Sequence, residues 1–267
     1  MIVRYESDGS LVMITQNDHA LLSGLFAAHW GNAKFERPRP FDSAVRAAMF
    51  HDKGWISYET SPIYDPATGK TPNYREVPNT PAQLDAFQWA GDWLSGVDPY
   101  AGLLIAKHRS GLWQGRYRVI TQPPAIVRGT LKPEIVSFIA RSEEKQKAAA
   151  EGFDAHELAI NYNLLQVWDL LSLYICSEEK LKDDVIEPVP TGYAASAGVP
   201  MRITPLSPTK IGLDPYPFDQ PAVTASLVYR RLPGQSFPDQ AAFQASYFAT
   251  ALQLASFTFV AAAGASH

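Results

Sequence analysis

Three of the six histidines, His19, His51 and His108, fall inside stretches that read as apolar helices, and His51 is followed directly by Asp52. An imidazole next to a carboxylate offers a neutral nitrogen and an anionic oxygen, a donor pair suited to divalent Mn, Fe, Co, Ni or Zn more than to Ca. Cys176 is the only cysteine, so a thiolate site and an intrachain disulfide are both excluded. Any metal must therefore be held by His and carboxylates. Asp169 stands in Leu165-Gln166-Val167-Trp168-Asp169-Leu170-Leu171-Ser172-Leu173, an apolar helical run in which an unpartnered carboxylate would be costly. A metal ion is an economical partner, with a core arginine or a cap as the plainer one. Lys53, Lys107, Arg109, Arg116 and Arg118 could form a phosphate-reading rim, because guanidinium and ammonium groups match phosphate oxygens; scattered cations more commonly serve solubility. Trp55, Tyr58 and Tyr100 could line a pocket or simply fill a core.

The remaining histidines carry less. His29 lies ten residues after His19, too far along a helix to share its ion, and packing against Trp30 is the simpler role. His156 opens a helix, where exposure is the default, and His267 ends the sequence.

The elements that must position these groups are mostly helical. Residues 2–5 and 11–15 read as a β-hairpin around Ser7-Asp8-Gly9-Ser10. A helix capped by Asn17 or Asp18 then runs to about Trp30, where Gly31 ends it, and a second, starting at Asp42 or Ser43, delivers His51 and Asp52 at its end before Gly54. Prolines and glycines punctuate 54–81, predicting a long loop that would serve as a specificity wall beside the site. Helical patterns return at 81–94, 99–110, 133–151 and 154–181. Beyond Glu187 the texture turns β-like, with strands at 201–204, 223–229 and 256–260 and a helix opened by Pro238-Asp239. The expected organisation is one domain: a mainly α fold whose helical, metal-bearing core spans about 15–185, with the β-rich part 186–267 packing on the 1–15 hairpin.

Composition narrows the function classes. Of 267 residues, 46% are hydrophobic and 12% aromatic, enough for a sizeable core. A net charge of −4 without a basic run argues against a nucleic-acid partner. The acidic start of the chain does not read as a signal peptide, and the weakly polar stretch 249–264 is too short to span a bilayer. A cytoplasmic protein with no membrane partner and a small anionic substrate is the resulting expectation; the residues do not speak to oligomeric state.

The order His19, His51-Asp52, Asp169 resembles the signature of the HD-domain metal-dependent phosphohydrolase superfamily, over roughly residues 15–180. That resemblance implies an HD-domain-like helical core, a divalent transition metal held by His19, His51, Asp52 and Asp169, and one ion or two. It implies hydrolysis of a phosphate ester by metal-activated water, with Asp52 at the reacting centre, His108 positioning substrate or moving a proton, and Lys53, Trp55, Lys107 and Arg109 contacting substrate. One departure stands out: many hydrolytic members carry a lysine where this chain has Trp55. More narrowly, Gln16-Asn17-Asp18-His19-Ala20, His29-Trp30-Gly31, His51-Asp52-Lys53-Gly54-Trp55 and Asp98-Pro99-Tyr100-Ala101 look like an uncharacterised bacterial family, a domain of unknown function. Two other functions fit the same residues. One is a non-haem di-iron oxygenase of the same superfamily, with His108 and His156 recruited to a second iron; the other is a non-catalytic module that binds a metal or a small ligand.

Overall fold

A computed structural model describes residues 1–77, 79–114, 131–194 and 198–262; Arg116, Arg118 and His267 lie outside the described residues. The chain opens with strands β1 (Ile2–Tyr5) and β2 (Leu11–Ile14), followed by helices α1 (Gln16–Ala28) and α2 (Phe41–Phe50). A single 3-10 turn, Lys53–Trp55, leads into the short α3 (Ile56–Glu59). Four helices follow: α4 (Pro81–Ser95), α5 (Pro99–Gln114), α6 (Pro133–Ala149) and α7 (Ala155–Ser177). The last third holds β3 (Asp184–Val189), β4 (Val199–Ser207), β5 (Lys210–Asp214), β6 (Ala222–Leu232), α8 (Gln240–Ala249) and β7 (Leu252–Ala261).

All seven strands join one sheet in the order β1-β2-β6-β7-β5-β4-β3. Every neighbouring pair is antiparallel except β5 and β7, which run parallel. This corrects the mainly α, HD-domain-like expectation: the described residues are about 46% helical and 22% strand, and a curled mixed sheet forms a full layer of the fold. The physical reason lies in the last third. β4, β6 and β7 each extend past their apolar alternation through polar or exposed residues held by ladder pairing, which local periodicity does not register. β3 contains Pro188 and β5 contains Gly212, residues that lower strand propensity. Residues 54–81 are also not wholly irregular, since the 3-10 turn and α3 occupy their start.

The hairpin is buried on both faces, as period-two alternation allows. Ile2, Val12 and Ile14 face the larger core, while Val3, Leu11 and Met13 face a smaller one with Trp55, Tyr58 and Phe87. Leu11 pairs with Leu232, tying the start of the chain to β6. α1 packs against α2, α7 and β6, and Gly24 lets α2 approach: a Cβ there would sit 2.1 Å from Met49 Cγ. The α1 cap is Thr15, whose Oγ1 accepts from Asp18 N at 2.8 Å, rather than Asn17 or Asp18. Among the described residues, no helix is long and apolar enough to cross a membrane.

Candidate metal centre

Four elements converge on one buried point. α1 brings His19, one turn past its Thr15 cap, and α7 brings Asp169 from its middle. His51 closes α2 in helical conformation, and Asp52 follows as the first residue of the turn into Lys53–Trp55. α5 adds His108. All five side chains belong to residues no more than 5% exposed.

The contacts draw the side chains into one cluster. His19 Nε2 lies 3.1 Å from Asp52 Oδ2 and 3.7 Å from Asp169 Oδ1. His51 Nε2 lies 3.4 Å from Asp169 Oδ1 and 3.8 Å from Asp52 Oδ2, and His108 Nε2 lies 3.8 Å from Asp52 Oδ1. Two trios, His19-His51-Asp169 and His51-Asp52-His108, each place one ligand atom per residue within 4.8 Å of the others. The structure thus brings together His19, His51, Asp52, His108 and Asp169.

A surrounding ring of bonds fixes how the imidazoles face. His51 Nδ1 donates to Ala48 O at 2.8 Å, turning Nε2 toward the carboxylates, 3.4 Å from Asp169 Oδ1. His19 Nδ1 meets Ser172 Oγ at 2.7 Å, while the Ser172 hydroxyl donates to Asp169 O at 2.8 Å. These contacts turn Nδ1 of His19 toward Ser172 and Nε2 inward, 3.1 Å from Asp52 Oδ2. Gln16 Nε2 donates to Asp52 Oδ2 at 2.8 Å. Glu59 holds the start of α1, accepting from Gln16 N and, at 2.7 Å, from Asn17 Nδ2. Gln16, Ser172 and Glu59 were not singled out from sequence. Gln16 precedes His19 by three residues and Ser172 follows Asp169 by three, the spacing that puts helix residues on one face, so a signal for those two exists.

Electrostatics follow from burial and proximity. Burial opposes charge on His51, but Asp169 and Asp52 outweigh it and push its pKa up to about 9. Burial would raise both carboxyls, yet His51, with help from the other imidazoles, holds Asp52 and Asp169 below the usual carboxylate range. His108 goes the other way: burial, then the charge of His51, push it down to about 4, so it is neutral at pH 7.

The sequence-predicted contact residues divide. Arg109 and Trp55 come together, the guanidinium carbon 5.3 Å from the indole centroid. Lys53 and Lys107 instead lie over the rings of Trp93 and Tyr162, at 6.0 and 5.7 Å. Tyr58 packs edge-on to Trp55, and Tyr100 is bonded to Asn161. His29 pairs with Asp219 at 3.0 Å and His156 Nε2 donates to Tyr193 O at 2.6 Å, so neither joins the five.

A family described as a protein of unknown function (DUF3891) matches residues 1–234. No curated protein and no solved structure matches the chain.

Proposed function

We propose that this chain, which belongs to the DUF3891 family, binds a divalent transition-metal ion (Mn, Fe, Co, Ni or Zn) on His19, His51, Asp52 and Asp169 and hydrolyses a phosphate ester there. The observation that carries the reading is the inward orientation of two imidazole Nε2 atoms whose Nδ1 atoms are tied to Ala48 O and Ser172, opposite two buried carboxylates. Two neutral nitrogens and two anionic oxygens in a water-poor setting fit a borderline divalent cation in donor type and charge. A bound ion would supply Lewis acidity, lowering the pKa of a water and neutralising charge on phosphoryl oxygens.

The chain's own groups supply the rest. Ser172 and the Ala48 carbonyl engage the Nδ1 atoms and so turn both Nε2 atoms inward, and Gln16 orients Asp52. His108, neutral and 3.8 Å from Asp52, is the group placed to exchange a proton with a bound ester. One ion suits the geometry better than two, because the two trios share His51 and its single free nitrogen cannot serve both. The phosphate class is supported by the ligand order, which resembles the HD-domain phosphohydrolases in those four residues.

Elemental analysis of untagged protein purified without chelator, beside a folded Asp52→Ala variant, tests the centre; hydrolysis of a phosphomonoester panel with Mn, Co, Ni and Zn tests the activity. About one ion per chain, lost in the variant, and turnover of a phosphate ester are expected. Two irons with oxygen consumption would replace this reading with a di-iron oxygenase. A bound ion without turnover of any ester would replace it with a binding module.

A further inference from the structure

Arg109 is a partly buried cation with no anion to answer it. Its guanidinium carbon lies 3.6 Å from the Phe87 ring centroid, 4.4 Å from Trp113 and 5.3 Å from Trp55, so aromatic rings cover its faces. Stacking of this kind satisfies the faces of the plane but none of the five N–H groups on its edge. Those edge donors are poorly used: Nη2 reaches Asn79 Oδ1 only at 3.5 Å, and the fully buried Nε has no partner among the described residues. All 27 Asp and Glu of the chain fall among the described residues, and no ion pair joins any of them to Arg109. Removing a guanidinium from water without a carboxylate, while leaving its edge open, is unfavourable unless a ligand completes it.

The position says which ligand. Arg109 follows His108 on α5, and its guanidinium overlies Trp55, three residues beyond Asp52. It makes no ion pair with Asp52, whose charge nonetheless favours its charged form against burial. A planar fork with free in-plane donors matches two oxygens of a tetrahedral oxyanion. We propose that Arg109 is the receptor for the phosphoryl oxygens of the substrate, held by Phe87, Trp113 and Trp55 so that its open edge takes a phosphate beside His108 and Asp52, a role that deepens the phosphate-ester reading and rests on it. Trp55 then serves as a shelf for a cation delivered from α5, where the resembling enzymes carry a lysine on the site's own turn.

The test is calorimetric titration of inorganic phosphate into full-length protein, metal-free and Mn-loaded, for the native chain, Arg109→Met and Arg109→Lys, with metal content measured on each sample and folding checked by circular dichroism. Met retains the apolar stem against the three rings while removing the fork; Lys keeps the charge without it. Expected is phosphate binding by the native chain, weakened at least about tenfold in Arg109→Met, as for loss of a charge-assisted hydrogen bond, and less in Arg109→Lys, with metal content unchanged. Equal phosphate affinity in native chain and Arg109→Met, or no phosphate binding by the native chain in either form, overturns the receptor. A variant that melts earlier but binds phosphate normally assigns Arg109 to packing alone and overturns it too. Phosphate binding that needs Arg109 in a protein that takes up no metal upholds the receptor while overturning the metal centre.

Discussion

Loading the centre with an ion should eject a proton, and its source is His51. In the metal-free protein Asp169 and Asp52 hold that imidazole protonated with a pKa of about 9. At pH 7, two units below, about 99% of chains carry the proton. Because Nδ1 donates to Ala48 O, the extra proton sits on Nε2, the atom that a cation must take. Displacing it at pH 7 costs two pH units' worth of binding, about 2.7 kcal/mol or a hundredfold in apparent affinity. The sign follows: affinity rises about tenfold per pH unit up to pH 9 and then levels, as far as His51 governs it. The perturbation is addition of Mn2+ to chelator-stripped protein, since a zinc-bound water would itself release a proton near neutrality. Calorimetry in buffers of different ionisation enthalpy counts the protons. About one per ion is expected at pH 7, falling to about half at pH 9, and about one fewer in His51→Gln wherever that variant still binds. Stoichiometric Mn2+ uptake at pH 7 with no proton released would refute the reasoning, as would release unaltered by His51→Gln.

Other consequences can be measured with simpler means. At a free-ion concentration a hundred times Kd, binding adds about 2.7 kcal/mol to native stability; at roughly 2–4 °C per kcal/mol for a chain of this size, Tm should rise by about 5–10 °C, and Asp52→Asn should erase most of the rise in a thermal melt. Gly54→Ala would place a Cβ 2.5 Å from Phe87 Cδ1 and 2.9 Å from its Cα, so denaturant unfolding should show a loss of about 1–3 kcal/mol, whereas a neutral result would mean that α4 shifts freely. Cys176 is fully buried and burial raises its thiol well above the ordinary range; a thiol reagent at pH 8 should leave native protein unlabelled and modify one site per chain after unfolding.

The cluster was legible because its residues break local rules: His51-Asp52 at a helix end and Asp169 in an apolar run are hard to explain by packing alone. The surrounding bonds were less legible, since Gln16, Ser172 and Glu59 are ordinary polar residues whose role depends on α1, α7 and α3 meeting. Glu59 in particular has no spacing relation to the ligands. Arg109 was visible as a basic neighbour of His108, but its lack of an ion pair is a property of three dimensions. The sheet was misjudged for a similar reason: β5 is five residues around Gly212, and its membership depends on β4 and β7 lying on either side. A hairpin with all four β2 residues buried reads locally as an apolar strand, and only the second core behind it shows why both faces are apolar.

The pairing of Leu11 with Leu232 also sets an order of events during synthesis. When α7 leaves the ribosome, every residue of the centre has been made, yet β6, which borders both the hairpin and α1, has not. Contacts so distant along the chain form slowly, because loop closure must be met before they contribute. Until then the hairpin has an open edge where β6 will lie, and the nascent chain carries an unpaired template for association with other chains. An ion captured by the helices at that stage would draw α1, α2 and α7 together and reduce the conformational search left to the last strands.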